Sequence, residues 1–462
     1  MSEPMPKNPF LSGVWEPWPM EGEIIDLAVT GEVPRELYGA LYRNGPNPQF
    51  APRGGYHPFS GDGMIHAFSV RDGKVDYRNR FVRTPRFNAE RAAGQALWSS
   101  FMGNSAPPDP RSEGIPGGPA NTNVVWHAGK LLALVEGGLP PVELDPETLA
   151  TLGTTDFDGR LRDGTFTAHP KLDPETGQML GFRYGVVPPY IVYYEISADG
   201  KVTREVPIDA PIPSMVHDFI TTRDHVIFPV FPATLRLERA ARGESVLGWE
   251  PELGTQIGVM PRNGGTGDVT WLRTDPCYVF HPMNAYDHGR TIVADVARYE
   301  RLPIPAAGLK MEIGGTEALL YRWTLDLDAK TVKEEIRDDR ASEFPRLDER
   351  RTGLPYKVGF AASVGGLGGG FSSVIRYDVT TGKSVAHDFG TGNAVSEPIF
   401  VPMSEDAPEG RGFLLTVVYR AETGRSDLAI LDAENLDRAP LALAHLPHRV
   451  PAGFHGNWRP GV

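Results

Sequence analysis

Twelve histidines are present, and four of them stand where metal chemistry could be done. They are His169 in Thr167-Ala168-His169-Pro170, His217 in Met215-Val216-His217-Asp218-Phe219, His281 in Val279-Phe280-His281-Pro282, and His455 in Phe454-His455-Gly456. Each follows an apolar or small residue at an expected strand end, so each imidazole is expected to point inward. Neutral imidazole is the commonest side-chain metal ligand. The wide separation is wrong for a zinc finger or an HExxH zincin, whose ligands cluster locally. It suits an axial site into which different blades of a closed β structure each send one side chain. The bland alternative for each residue is a satisfied core histidine. His455 argues against it, because chain ends usually fray and this one carries Phe454, His455, Gly456 and Trp458 between Pro451 and Pro460. Among the rest, His127, His288, His387, His445 and His448 read as solvated, His57 and His66 as structural, and His225 as an edge or core residue.

The elements that must carry these side chains are short strands. Glu23–Val29, Ile65–Val70, Lys74–Arg80, Lys130–Val135, Tyr190–Ile196, Thr291–Val296, Leu319–Leu325 and Gly412–Tyr419 all read as strands. Turn signals such as Arg71-Asp72-Gly73 and Ala198-Asp199-Gly200 separate them. With 52 glycines and 43 prolines interleaved among β-branched and aromatic runs, the pattern is all-β: a sandwich pair, a barrel or a β-propeller. Two helices are expected, over Asn88–Met102 and over Ala233–Arg242. No low-complexity linker divides the chain, so residues 1–462 are expected to form a single domain.

Composition narrows the partners. A net charge of -13 argues against a general nucleic-acid binder, which needs a basic footprint. The lone Cys277 rules out an internal disulfide and fits a reducing cytoplasm. The N-terminal stretch does not read as a signal peptide. Apolar runs fall far short of the roughly 18 residues that suggest a membrane span. A soluble, cytoplasmic protein with no protein partner is the expectation.

The chain also resembles the carotenoid cleavage oxygenases, from about Gly39 to the C-terminus. The resemblance rests on Tyr42-Arg43-Asn44-Gly45-Pro46-Asn47-Pro48, Phe59-Ser60-Gly61-Asp62-Gly63-Met64, Ala120-Asn121-Thr122-Asn123, Ala168-His169-Pro170-Lys171, Val216-His217-Asp218-Phe219, Glu343-Phe344-Pro345-Arg346, Ser396-Glu397-Pro398 and Phe454-His455-Gly456, in that order. It implies a seven-bladed β-propeller with non-haem Fe(II) on its axis under a loop-and-helix cap. The iron ligands it implies are His169, His217, His281 and His455. Glu136, Glu343 and Glu397 would accept the outer N–H of ligand histidines, which fixes the tautomer and offsets the cation's charge. Thr122 matches a residue near the vacant coordination position. The implied reaction adds O2 across an alkene and gives two carbonyl products, with no organic cofactor.

Members that cleave phenolic stilbenes carry a tyrosine before the Ala-Asn-Thr motif and a lysine before the first of these glutamates, and the pair holds the substrate's phenol oxygen. Counting back from Thr122 and Glu136 gives Met102 and Val135. A phenolate would lack a partner there, at considerable cost, which favours a carotenoid or apocarotenoid substrate. Trp98, Phe101 and Met102 would then form an apolar entrance that could touch a membrane surface, or else simply cap the fold. Against this, Leu235-Arg236-Leu237-Glu238-Arg239 and Trp249-Glu250-Pro251 resemble the bacterial stilbene- and phenylpropene-cleaving members. Other readings are an isomerase using iron as a Lewis acid, a non-catalytic propeller, and, less favoured because four histidines exceed the usual three ligands, a zinc hydrolase.

Overall fold

The computed structural model describes residues 4–100, 107–161, 164–304, 306, 317–364 and 370–461. Almost every element is a strand, and the strands form seven antiparallel sheets of four to six strands plus one two-stranded ribbon. This is the all-β, seven-bladed β-propeller class. The chain clusters into two compact units, Met1–Ala168 with Gly365–Ser373 and His387–Val462, and His169–Val364 with Val374–Ala386.

The first unit holds three sheets. One is built from Gly22–Ile24, Lys74–Phe81, Gly63–Arg71, Gly39–Pro46 and, at its far edge, the C-terminal Gly456–Pro460. Its last pairing runs from Gly39↔Pro460 to Arg43↔Gly456, so the chain end is tied down by a ladder instead of fraying. A second sheet is the meander Asn123–His127, Lys130–Leu134, Val142–Leu144 and Thr151–Thr154. A third joins Ala28–Gly31 to strands between Ala394 and His445. The N-terminal part of the chain thus completes the C-terminal sheet, and the C-terminal strand completes the N-terminal one. Between them lies a core of Leu41, Phe68, Tyr77, Leu415, Leu428 and Ile430, all at most 2% exposed. Alternating apolar residues along Lys74–Phe81 put Val75, Tyr77 and Phe81 inside, the period-two pattern of a half-buried strand.

The second unit holds the sheets Lys171–Ile208, Ile220–Thr274 and Tyr278–Asp338, and most of the sheet Ser342–Asp388. Its aromatic core includes Phe182, Tyr193, Phe219 and Phe228.

Both helix expectations need correction. The first helix is Pro85–Ala93, not Asn88–Met102. The Thr84 hydroxyl caps the Phe87 N–H at 3.0 Å, Pro85 starts the first turn, and Gly94 stops the helix at φ 67°. Past that stop, Glu90 accepts the backbone N–H groups of Leu97 and Trp98 at 2.9 and 3.2 Å and folds the chain back. In the second, Ala233–Leu235 is a strand paired with Leu247–Trp249, and only Leu237–Ala241 is helical. The expected strand Glu23–Val29 is broken in two by Asp26 at φ 55°.

Candidate metal centre

Each of the seven sheets places one residue of the expected site on or beside a terminal strand. His455 immediately precedes Gly456–Pro460, Thr122 precedes Asn123–His127, His169 lies two residues before Lys171–Leu172, and His217 lies three before Ile220–Thr221. His281 lies within Tyr278–His288, Glu343 within Ser342–Leu347, and Glu397 between Ala394–Val395 and Ile399–Pro402. Three of the histidines therefore stand just before a strand and not at its end. His281 is inside one, at an irregular register between Val279 and Pro282. Proline cannot donate to the ladder there.

In the second unit His169, His217 and His281 converge. Their ring centroids lie 4.5 Å (His169–His217), 5.1 Å (His169–His281) and 5.1 Å (His217–His281) apart. The Nε2 atoms of His217 and His281 are 3.2 Å apart, so both aim at one point. His281 is held from outside: its Nδ1 lies 2.6 Å from Glu343 Oε2, which makes Nε2 the available ligand atom. Phe344 follows Glu343 at φ 54°, a backbone region that costs an aromatic residue energy. That turn brings the Phe344 N–H onto Glu343 Oε2 and stacks the Phe344 ring on His281 at 5.3 Å.

In the first unit His455 is 5% exposed, and its Nδ1 lies 3.0 Å from Glu397 Oε1 while Oε2 accepts the Gly456 N–H at 2.9 Å. The motifs around Arg43-Asn44 and Ala120-Asn121-Thr122-Asn123 explain the local geometry. Asn44 N–H donates to the His455 carbonyl at 2.8 Å and His455 N–H to the Thr122 carbonyl at 3.1 Å. Asn44 Nδ2 spans the carbonyls of Ala120 and Asn123 at 2.9 Å each, and Asn121 Nδ2 holds those of Phe59 and Gly61. Buried Arg43 donates to the Pro451 carbonyl at 3.0 Å. Burial lowers its pKa to about 10, opposed by the nearby Glu397 carboxylate. Thr122 Oγ1 donates to Asn121 Oδ1 at 3.1 Å.

Glu136 and Val135 follow the strand Lys130–Leu134 and are half-buried, with Val135 packed on the core of that sheet. Phe101 and Met102 lie outside the described residues. Trp98 is half-buried with its ring 5.6 Å from the Arg86 guanidinium, an internal contact that suits the capping role. Among the histidines expected to be solvated, His127 is buried at 6% exposure, His448 stacks on Trp18 at 4.5 Å, and His445 pairs with Asp427 at 2.8 Å. His66, expected to be structural, is buried against the Tyr77 hydroxyl at 2.8 Å.

Chemically, this donor set suits a divalent first-row metal. The ligand atoms of His169, His217 and His281 lie within 4.8 Å of one another, and imidazole with outer carboxylates fits iron, copper, nickel or zinc. Lys171 and Asp218 stand within two residues of His169 and His217 in the motifs Ala168-His169-Pro170-Lys171 and Val216-His217-Asp218-Phe219.

The fold and this site are those of a β-propeller with converging histidines in or just before its strands. The family model described as retinal pigment epithelial membrane protein matches residues 15–460, and the chain belongs to that family, the carotenoid cleavage oxygenases. It is 39% identical to isoeugenol monooxygenase of Pseudomonas nitroreducens, with 98% of each chain covered. It is 38% identical to a carotenoid cleavage oxygenase of Mycobacterium tuberculosis, again over 98% of each chain. The crystal structure of Pseudomonas brassicacearum lignostilbene dioxygenase superposes with a TM-score of 0.95 at 35% identity, covering 100% of both chains.

Proposed function

We propose that this chain is an Fe(II)-dependent dioxygenase that cleaves the alkene of a phenylpropene or stilbenoid into two carbonyl products. The observation that carries the reading is end-to-end similarity to isoeugenol monooxygenase, joined by the 0.95 TM-score to lignostilbene dioxygenase. It replaces the carotenoid preference drawn from Val135 and Met102. Those two positions argue only that no lysine–tyrosine pair ionises a phenol; an electron-rich aryl alkene can still be taken as the neutral phenol in an apolar pocket. A carotenoid or apocarotenoid substrate remains the second reading, supported by Val135 and by the similarity to the mycobacterial enzyme.

In this reading His169, His217, His281 and His455 are the residues that would hold the iron. Bound iron would supply O2 activation. The chain's own residues do the rest: Glu343 and Glu397 keep the His281 and His455 protons on Nδ1, and Thr122 fixes the backbone that carries His455. Glu136 is assigned the corresponding carboxylate role, and Trp98 and Val135, with Phe101 and Met102, belong to the substrate side. A cytoplasmic location accompanies this reading.

The test is turnover under 18O2 by Fe(II)-loaded protein with isoeugenol, a hydroxystilbene and an apocarotenal. An aromatic aldehyde and the second carbonyl product of the same cleavage, both carrying label, are expected at ten-fold or greater preference over the apocarotenal. Label in one product only would make it a monooxygenase. Turnover without oxygen uptake would make it an isomerase. Cleavage of the apocarotenal alone would restore the second reading.

A further inference from the structure

One ion pair beside the site joins a buried carboxylate to a partly exposed lysine. Lys171 lies two residues after His169, and Asp218 directly follows His217. The Lys171 ammonium lies 2.8 and 2.9 Å from the two carboxylate oxygens of Asp218, whose side chain is 3% exposed. Asp218 Oδ1 also accepts the Phe219 N–H at 2.7 Å, and the ammonium sits 5.8 Å from the Phe219 ring. The other oxygen, Oδ2, is 3.9 Å from His169 Nδ1, beyond hydrogen-bond length.

His169 and His217 both sit on irregular backbone. The strands that follow them belong to different sheets: Lys171–Leu172 pairs with Met179 and Leu180, and Ile220–Thr221 with Val226 and Ile227. Among the described residues no ladder therefore registers one histidine against the other. We infer that the Lys171–Asp218 pair is the staple that sets the spacing of His169 and His217, and that Lys171 keeps the Asp218 carboxylate from closing onto the His169 ring. The inference rests on the reading of the histidines as a metal site.

The Asp218 side chain is 3% exposed and that of Lys171 21%, so losing the lysine would leave a buried carboxylate without its counter-ion, and the pair holds its two loops at a fixed distance. It is also electrically neutral as a unit, and would add no further negative charge to a cation held by these histidines. Glu343 and Glu397 contact their histidines directly at 2.6 and 3.0 Å; Asp218 is instead held by lysine. Both members are positioning residues, acting through the ligands.

The test titrates full-length apoprotein with Co(II), whose d–d absorption reports the ligand field, alongside thermal unfolding of the same samples. Wild type is compared with Lys171→Met, Asp218→Asn, the double variant and Lys171→Arg. The single variants are expected to bind Co(II) about 10–100-fold more weakly, with altered d–d bands. Lys171→Arg should stay within about three-fold, and the double should lose less than the product of the singles. Single variants with wild-type affinity and spectrum would overturn the staple, whatever their melting temperature, and so would losses that simply multiply. If a single variant does not fold, the double decides: weaker binding supports the staple and unchanged binding overturns it. Wild-type protein that binds no Co(II) would instead overturn the metal reading.

Discussion

The backbone N–H of His455 donates to the carbonyl oxygen of Thr122 at 3.1 Å, and the Thr122 N–H donates to Leu134 at 3.0 Å. A histidine seven residues from the end is thereby registered against the middle of the first compact unit. Removal of residues 454–462 should abolish metal binding and activity. It should also lower stability, because five paired positions are lost, each pair contributing ~0.2–1 kcal/mol. His455→Ala keeps that ladder and should lose most of the metal affinity with a smaller change in melting temperature. Stoichiometric iron in either variant, by metal analysis after dialysis, would remove His455 from the ligand set. Trimming residues 1–9 should be mild by comparison.

Glu397→Gln tests the outer carboxylates. Its oxygens face His455 Nδ1 and the Gly456 N–H, and an amide can replace one acceptor but not the charge. Metal affinity should fall about 10–100-fold, with the fold kept by circular dichroism. Glu343→Gln should behave alike through His281. Unaltered affinity in both would show that the carboxylates serve packing alone.

Gly456 leaves no room for a side chain: an added Cβ would sit 2.6 Å from the Tyr42 carbonyl oxygen and 3.3 Å from Arg43 Cα. Both are backbone, so neither can swing away. Gly456→Ala should cost about 1–3 kcal/mol of stability, read by chemical denaturation, and should weaken metal binding because His455 moves with it. A neutral effect would mean that the two strands separate freely.

Val135→Lys, combined with Met102→Tyr, should raise kcat/KM on a hydroxystilbene by an order of magnitude if a phenolate clamp is what the chain lacks. The gain should be small on an alkene without a phenol. Equal effects on both substrates would remove these positions from substrate activation.

His57 sets an acid limit on the loop that carries Phe59. Its Nδ1 accepts the Phe59 N–H at 3.3 Å, which requires a neutral ring, and burial lowers its pKa to about 4. The folded value is below the unfolded one of 6.5, so the contribution is complete above pH 6.5 and is lost as pH falls toward 4. The full loss is on the order of 3 kcal/mol. The drop in melting temperature between pH 7 and pH 5 should shrink in His57→Gln. An identical drop in both proteins would assign the acid sensitivity elsewhere.

By itself the sequence determined the periodicity of the strands, the turns between them and the histidines set apart from the other eight. These depend on local chemistry: alternating burial, residues at positive φ, and motifs read in order. It placed the first helix wrongly because the Thr84 cap and Gly94 stop outweigh the alanine-rich composition beyond them. It took His127 as solvated because a turn neighbour says nothing about what packs from another sheet. Only the tertiary structure decided which nitrogen His281 and His455 leave free of a carboxylate, since Glu343 and Glu397 reach them from distant strands. Only it joined Lys171 to Asp218. Both kinds of contact lie between residues far apart in the chain, where sequence spacing carries no distance.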